Sequence, residues 1–170
     1  MDNKQTLMSL PAQITAEIDH WLAKYPDDQR QSAVMAALRI VQDYNKGWLT
    51  EELIGQVADY IGMPKIAAFE VASFYSMYEL KPVGQHKICV CTNISCMLCG
   101  SAEIVTHLEE KLDIKMGEVT ADGFFSLKEV ECLGACVGAP MFQIGTQYYE
   151  NLTAEKVDGI LDELKNGESS

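Results

Sequence analysis

Four of the six cysteines in this chain form two close pairs separated by a long gap. The first pair, Cys91 and Cys96, follows the β-prone run 87–90, so both thiols are expected on a loop that leaves a strand. The second pair, Cys132 and Cys136, lies among small residues that let backbone amides approach the sulfurs. Two short loops that each offer two thiolates can supply the four ligands of a [2Fe-2S] cluster. The spacing therefore predicts such a cluster on these four cysteines.

Composition limits where such a site can operate. The N-terminus has no charged region followed by an apolar one, as a secretory signal would, so we expect a cytosolic protein with reduced thiols. No apolar run approaches the roughly 18 residues of a membrane-spanning helix, which predicts no direct membrane insertion. The net charge of −12 argues against nucleic acid as a partner, because phosphate contacts need clustered Lys and Arg.

The character of the sequence changes near residues 80–85, and we expect a domain boundary there. Residues 1–80 are predicted to form a helical bundle, because apolar residues recur at helical spacing in three segments, 14–22, 34–41 and 53–61. Thr50 is the expected N-cap of the third helix, Gly62 its end, and Pro64 belongs to the first turn of a fourth helix.

Large apolar residues in the second half of this domain are predicted to fill its core. Trp48 is one of them, and the others are expected along the fourth helix. These helix residues are Ile66, Phe69, Phe74, Tyr75 and Tyr78.

Residues 81–170 are predicted to alternate strands and helices in the order of a thioredoxin-like domain. The expected elements are strand 87–91, helix 101–112, strand 124–131, strands 141–144 and 147–149, and helix 153–165. Gly145-Thr146 suits a two-residue hairpin turn, and Thr153 suits the cap of the last helix. If the first two strands are parallel, they end at the same edge of the sheet, and the four sulfurs can meet there.

Four segments of the chain form a recognisable combination of motifs: Gly47-Trp48-Leu49, Val71-Ala72-Ser73-Phe74-Tyr75, Cys91-Thr92-x3-Cys96 and Glu131-Cys132-Leu133-Gly134-x-Cys136. With these motifs the chain resembles, from about Gln13 to Leu164, a known family, the small iron-sulfur subunits of bacterial NADH:quinone oxidoreductase, respiratory complex I. The resemblance implies an α+β or α/β fold in which an N-terminal helical bundle precedes a thioredoxin-like [2Fe-2S] ferredoxin domain, with the matching positions Cys91, Cys96, Cys132 and Cys136 as cluster ligands.

The resemblance also implies a role in electron transfer. A partner subunit would carry FMN and bind NADH, form a heterodimer with this chain, and exchange single electrons with its cluster. The assembly would lie in the peripheral arm on the cytoplasmic side of the inner membrane. The chain has no Gly-x-Gly-x-x-Gly motif for a dinucleotide of its own. Equivalent subunits serve NAD-linked hydrogenases and formate dehydrogenases, and the cysteine pattern does not separate these assemblies.

Three other uses of the cysteines stay open at the level of sequence. Cys91, Cys96 and Cys99 match the plant-type ferredoxin spacing, which needs one distant fourth ligand. Two cysteine pairs also fall within the range of structural zinc sites. The segment Cys96-x2-Cys99 is a candidate dithiol of a thioredoxin-like oxidoreductase. We expect Cys99 to begin the helix that follows it, and Cys89 to be a small buried residue of the strand.

The neighbourhood of the two cysteine loops is the expected partner-facing surface, near Met97 and Gly138. Apolar cover for the cluster is predicted from the residues beside the cysteines. These are Met97, Leu98, Val137 and Met141.

Overall fold

The structure is a computed structural model that describes residues 10–167. The chain divides into two compact units, one ending at Pro82 and the other beginning at Val83. Each unit has a hydrophobic core of its own. Within the described residues, no helix is both long enough and apolar enough to cross a membrane.

In the described part of the first unit, four α-helices pack against one another. They are α1 Ala12–Leu22, α2 Val34–Tyr44, α3 Glu51–Ile61 and α4 Lys65–Phe74, with a 3-10 helix, Asp27–Ala33, between α1 and α2. The three helices predicted from apolar spacing are confirmed. Thr50 Oγ1 caps α3 by accepting a hydrogen bond from the Leu53 N–H at 3.1 Å, and Gly62 ends it with a φ of 85°. Pro64 is the N-cap of α4.

The fourth helix ends earlier than the sequence predicts. A fourth helix reaching Tyr78 is wrong, because α4 ends at Phe74. The side-chain amide of Gln42, on α2, binds the next segment: Nε2 donates to the Met77 carbonyl at 3.2 Å, and Oε1 accepts from the Glu79 N–H at 2.7 Å. These two bonds hold residues 77–79 in a non-helical conformation, with Tyr78 in the core as predicted.

Most of the apolar residues predicted for the core of α4 are on its surface. Phe74 is 80% exposed and Ile66 is 66% exposed, and Phe69 and Tyr75 are also exposed. Ala68 and Ala72 are the buried residues of α4, and they lie one helical turn apart. Because these short side chains face the bundle, the larger ones point away from it. The core prediction is therefore wrong for Ile66, Phe69, Phe74 and Tyr75, and Trp48 is only half-buried.

In the described part of the second unit, four strands form one sheet. They are β1 His86–Cys91, β2 Phe125–Val130, β3 Phe142–Ile144 and β4 Gln147–Tyr149, in the order β2-β1-β3-β4. β1 and β2 are parallel, with Cys91 opposite Val130, and β3 is antiparallel to both β1 and β4. The predicted crossover is confirmed, since two helices, α5 Ile94–Leu98 and α6 Ser101–Leu112, lie between β1 and β2 in the chain. Both parallel strands therefore end at the edge of the sheet where the cysteines follow.

The C-terminal part of this unit also agrees with its local signals. Gly145, with a φ of 59°, and Thr146 form the two-residue turn between β3 and β4. The last helix, Ala154–Gly167, is capped by Thr153, whose Oγ1 accepts from the Lys156 N–H at 3.3 Å. The peptide bond Ala139-Pro140, just before β3, is cis. Helices and a mixed sheet in one chain confirm the predicted α+β or α/β fold class.

Candidate metal centre

The first cysteine pair is held by regular secondary structure. Cys91 is the last residue of β1, and its backbone N–H donates to the Met141 carbonyl at 3.2 Å. Cys96 lies on a short helix, α5, Ile94–Leu98, which the side chain of Asn93 caps. The prediction that both thiols lie on a loop is therefore wrong. Cys91 and Cys96 are only 2% and 1% exposed, so the core of the unit fixes their positions.

The second pair lies on the segment that follows β2. Gly134, with a φ of 83°, turns the backbone so that its N–H donates to Cys132 Sγ at 3.4 Å. Cys136 begins a 3-10 turn, Cys136–Gly138, and its Sγ lies 3.6 Å from Cys132 Sγ. Both cysteines are exposed. The expectation that a small residue lets a backbone amide approach a sulfur is confirmed at Cys132.

Polar side chains connect the segments that carry the two pairs. Asn93 Nδ2 donates to Glu131 Oε2 at 2.5 Å, and Thr92 Oγ1 donates to Glu129 Oε1 at 2.7 Å. The Tyr148 hydroxyl donates to the Leu133 carbonyl at 2.8 Å. These contacts were not predicted from the sequence. For Asn93 a signal was present, since Asn directly before a helical turn is a favoured N-cap.

The thiol of Cys96 is in surroundings that disfavour its charged form. Burial raises the pKa of Cys96 to about 11, the adjacent Cys91 thiol contributes to the rise, and the backbone N–H of Met141 opposes it. A thiolate at this position consequently needs a nearby positive charge. A bound iron would supply one, because metal ligation requires and stabilises the deprotonated sulfur.

The segments that carry the two pairs meet at one end of the sheet. Cys136 acts electrostatically on Cys96, which also contacts Cys91. Leu133 and Ala135, from the segment of the second pair, pack against the buried first pair. The four thiols therefore share one region at the ends of β1 and β2.

The sulfurs are arranged as two close pairs, which is the grouping that a dinuclear centre uses. Among residues 10–167, no three His, Cys, Asp or Glu side chains are grouped closely enough to hold one metal ion. A structural zinc ion needs four ligands around one point, whereas each iron of a [2Fe-2S] cluster takes two of the four protein thiolates. The Cys132–Cys136 separation of 3.6 Å and the contact between Cys91 and Cys96 provide two such pairs.

The other two cysteines lie outside these pairs. Cys99 is exposed and follows α5 as its C-cap, while α6 begins at Ser101, so the prediction that Cys99 begins a helix is wrong. Gly100, with a φ of 92°, separates the two helices at a position where a side chain would be strained. Cys89 is half-buried on β1 rather than fully buried. A dithiol of Cys96 and Cys99 would need an accessible nucleophile at a helix start, and Cys96 is buried inside α5.

The predicted apolar cover of the cysteines is only partly present. Met141 is 1% exposed and packs against Cys91 and Cys96, as expected. Met97, Leu98 and Val137 are 55%, 78% and 104% exposed, so the prediction is wrong for these three. In α5, the backbone that turns Cys96 inward directs the next two side chains outward. The result is three exposed apolar side chains, Met97, Leu98 and Val137, that lie next to or near cysteines of both pairs in sequence.

Comparisons with known proteins show which family this chain resembles. A family model described as thioredoxin-like [2Fe-2S] ferredoxin matches residues 18–165. An NADH-quinone oxidoreductase subunit of Rickettsia bellii (strain RML369-C) is 46% identical over 166 residues, which cover 98% of this chain and 99% of the relative. The NADH dehydrogenase [ubiquinone] flavoprotein 2, mitochondrial, of Dictyostelium discoideum is 41% identical over 97% of this chain and 67% of its own.

Among solved structures, an NAD+-reducing [NiFe]-hydrogenase in the air-oxidized state shares the fold. Its TM-score is 0.68 at 21% identity, and the match covers 82% of this chain and 24% of the hydrogenase chain. The family model and the close relatives together make this chain a member of the thioredoxin-like [2Fe-2S] ferredoxin family.

Proposed function

We propose that this chain is the small electron-transfer subunit of an NADH:quinone oxidoreductase. The observation that carries the proposal is the meeting of two thiol pairs, Cys91 with Cys96 and Cys132 with Cys136, at the ends of two parallel strands. These four cysteines would ligate one [2Fe-2S] cluster. The Rickettsia bellii relative, which carries the name of such a complex and is similar over nearly its whole length, supports the assignment.

The chemistry that a bound [2Fe-2S] cluster supplies is the exchange of one electron at a time. The residues of the chain hold and tune it. β1 and α5 fix the buried pair, and the Gly134 N–H donates a hydrogen bond to Cys132 Sγ, an interaction that stabilises negative charge on a ligand. Met141 keeps water from the first pair. This role requires no general acid, base or nucleophile from the chain.

The partner in this proposal is a separate subunit that carries FMN, binds NADH and forms a heterodimer with the chain. Electron transfer requires the flavin to approach the cluster, and the exposed pair, Cys132 and Cys136, offers the accessible side. The exposed apolar side chains of Met97, Leu98 and Val137 suit a protein contact near the cysteines, because interface cores are enriched in Met and depleted in charge. The heterodimer would belong to the peripheral arm on the cytoplasmic side of the inner membrane.

The test is reduction by NADH with and without the flavin-bearing subunit. The full chain is purified anaerobically, alone and co-expressed with the flavin subunit from the same organism, and each sample is examined by electron paramagnetic resonance after NADH is added. We expect a rhombic signal from this chain only in the complex, whereas dithionite should produce it in both samples.

Matched variants assign that signal. Cys99→Ser should keep it, because Cys99 lies outside both pairs, and Cys136→Ser should lose it or shift it strongly while the complex still forms. Reduction of the isolated chain by NADH, or a complex whose signal is unchanged by Cys136→Ser, would overturn the proposed function.

A further inference from the structure

The sulfurs of Cys132 and Cys136 are close enough to react with each other. They lie 3.6 Å apart, and a disulfide needs a separation of about 2.0 Å. Residues 131–135 belong to no helix or strand, so the approach breaks no strand pairing. Gly134 adopts a positive φ between them, and the Leu133 carbonyl is held by the Tyr148 hydroxyl. The loop is thus already folded back on itself, with both thiols exposed.

The first pair differs in access. Thiol–disulfide exchange requires the attacking sulfur to meet the oxidant directly. Cys91 and Cys96 are 2% and 1% exposed, so a soluble disulfide cannot reach them without opening the core. Cys99 is exposed, but Cys96, the nearest cysteine in sequence, is buried. Because Cys96 is not accessible as a second thiol, Cys99 can form only a mixed disulfide with the reagent.

We propose that, when the chain carries no cluster, Cys132 and Cys136 form an intramolecular disulfide by exchange with a small disulfide such as oxidised glutathione. One thiolate attacks a glutathione sulfur, forms a mixed disulfide and releases one glutathione. The second thiolate then attacks the protein sulfur of that mixed disulfide and releases the other glutathione. The two protein thiols are oxidised, one glutathione disulfide is reduced to two thiols, and the two protons lost by the cysteines are returned to the leaving thiolates.

This disulfide also blocks insertion of the cluster. That consequence rests on the proposed function, in which the two cysteines are cluster ligands. Metal ligation needs thiolates, and the disulfide removes two of the four. Reduction restores them. The structure therefore makes the exposed pair the redox-sensitive half of the site and keeps the buried pair reduced.

Trypsin separates the relevant cysteines cleanly. Cleavage after Lys and Arg leaves Cys132 and Cys136 as the only cysteines of peptide 129–156, and it leaves the other four in peptide 88–111. The protein for the test is the full chain carrying Cys99→Ser, which removes the exposed thiol outside the pairs. The protein is stripped of iron, reduced, and then treated anaerobically with oxidised glutathione. It is next denatured in the presence of N-ethylmaleimide, which labels the thiols that are still free. The labelled protein is digested and analysed by mass spectrometry.

We expect peptide 129–156 to be two hydrogens lighter than its reduced form and to carry no maleimide. Peptide 88–111 should carry maleimide on Cys89, Cys91 and Cys96. Iron uptake on reconstitution should fall at least about tenfold and recover after reduction, because two of four ligands are withdrawn. The further change Cys136→Ser should leave a glutathione adduct on Cys132. Cluster-loaded protein treated in the same way should yield peptide 129–156 with two maleimides.

Three results would overturn the inference: two free thiols in peptide 129–156, a disulfide joining that peptide to peptide 88–111, or full iron uptake by the oxidised chain. Failure of the proposed function looks different. In that case the disulfide forms, but the fully reduced chain never takes up iron.

Discussion

Cys91 and Cys96 are buried and held by a strand and a helix, whereas Cys132 and Cys136, at the same edge of the sheet, are exposed on a segment outside regular structure. The first pair packs with Met141, and the second contacts the Gly134 amide. One half of the site is therefore part of the core, and the other half faces outward. The buried pair fixes the position of the site in the fold. The exposed pair is the part that partners and reagents can reach.

The largest difference between the two halves should appear when their neighbours are truncated. Met141→Ala removes a side chain that is 1% exposed beside the first pair, and it should destabilise the cluster-free chain by about 2–4 kcal/mol. Val137→Ala, beside the second pair, should change stability by less than about 0.5 kcal/mol. Urea unfolding followed by circular dichroism measures both. Equal effects would show that the halves do not differ in packing.

The cysteines themselves should show a smaller contrast of the same sign. Cys96→Ser places a hydroxyl in the buried half and should cost the cluster-free chain about 1–3 kcal/mol, whereas Cys132→Ser should cost less than about 0.5 kcal/mol. Both variants should still lose the cluster. The comparison uses the urea midpoint of the iron-free proteins, and a Cys132→Ser variant as unstable as Cys96→Ser would contradict the division between core and loop.

A charge on the outward half should weaken the partner contact without affecting the cluster. Val137→Asp places a carboxylate at an exposed apolar position beside Cys136 and should lower affinity for the flavin-bearing subunit by about tenfold, close to 1.4 kcal/mol. Iron content should stay at the wild-type value. Gly138 is a poor site for this test, because a Cβ there would lie 2.5 Å from the Cβ of Glu150. Unchanged affinity in a binding titration would remove this surface from the interface.

The smallest expected effect on stability comes from an exposed ion pair outside both halves, His107 with Asp158. The hydrogen bond from His107 holds the pKa of Asp158 below its ordinary value, with Lys111 contributing. A lowered folded-state pKa stabilises the protein above the ordinary aspartate range, and the effect is lost as pH falls through the folded-state value. Asp158→Asn should therefore lower the melting temperature at neutral pH by at most about 3 °C, and the difference should close in acid. A difference that grows in acid would contradict this assignment.

Local sequence signals predicted most elements of the second unit correctly. Gly145-Thr146 and Thr153 act within a few residues of their own position, so the hairpin and the last helix could be read from sequence. The two strands next to the cysteine pairs, β1 and β2, followed from their β-prone runs, and their parallel order followed from the helix between them. Helix α5 was missed because its five residues are too few to show a periodic pattern.

The errors in the first unit have a non-local cause. Hydrophobicity placed Phe74 in the core, yet Ala72 occupies the buried face, and only the approach of neighbouring helices decides between them. Gln42 likewise ends the predicted extension of α4 through contacts with Met77 and Glu79, more than 30 residues away in sequence. At the site, the exposure of Val137 and the bond between Asn93 and Glu131 depend on how two distant segments meet.

Four cysteines, two from each half, are proposed to hold one cluster. The most direct measurement is electron paramagnetic resonance of the anaerobically purified, dithionite-reduced full chain, with iron and zinc counted, for the wild type, Cys99→Ser and the four single serine variants of the pairs. We expect about two irons per wild-type chain and a rhombic signal. That signal should be unchanged in Cys99→Ser and lost or strongly shifted at Cys91, Cys96, Cys132 and Cys136. A signal that collapses in Cys99→Ser and survives in Cys132→Ser or Cys136→Ser would contradict this proposal.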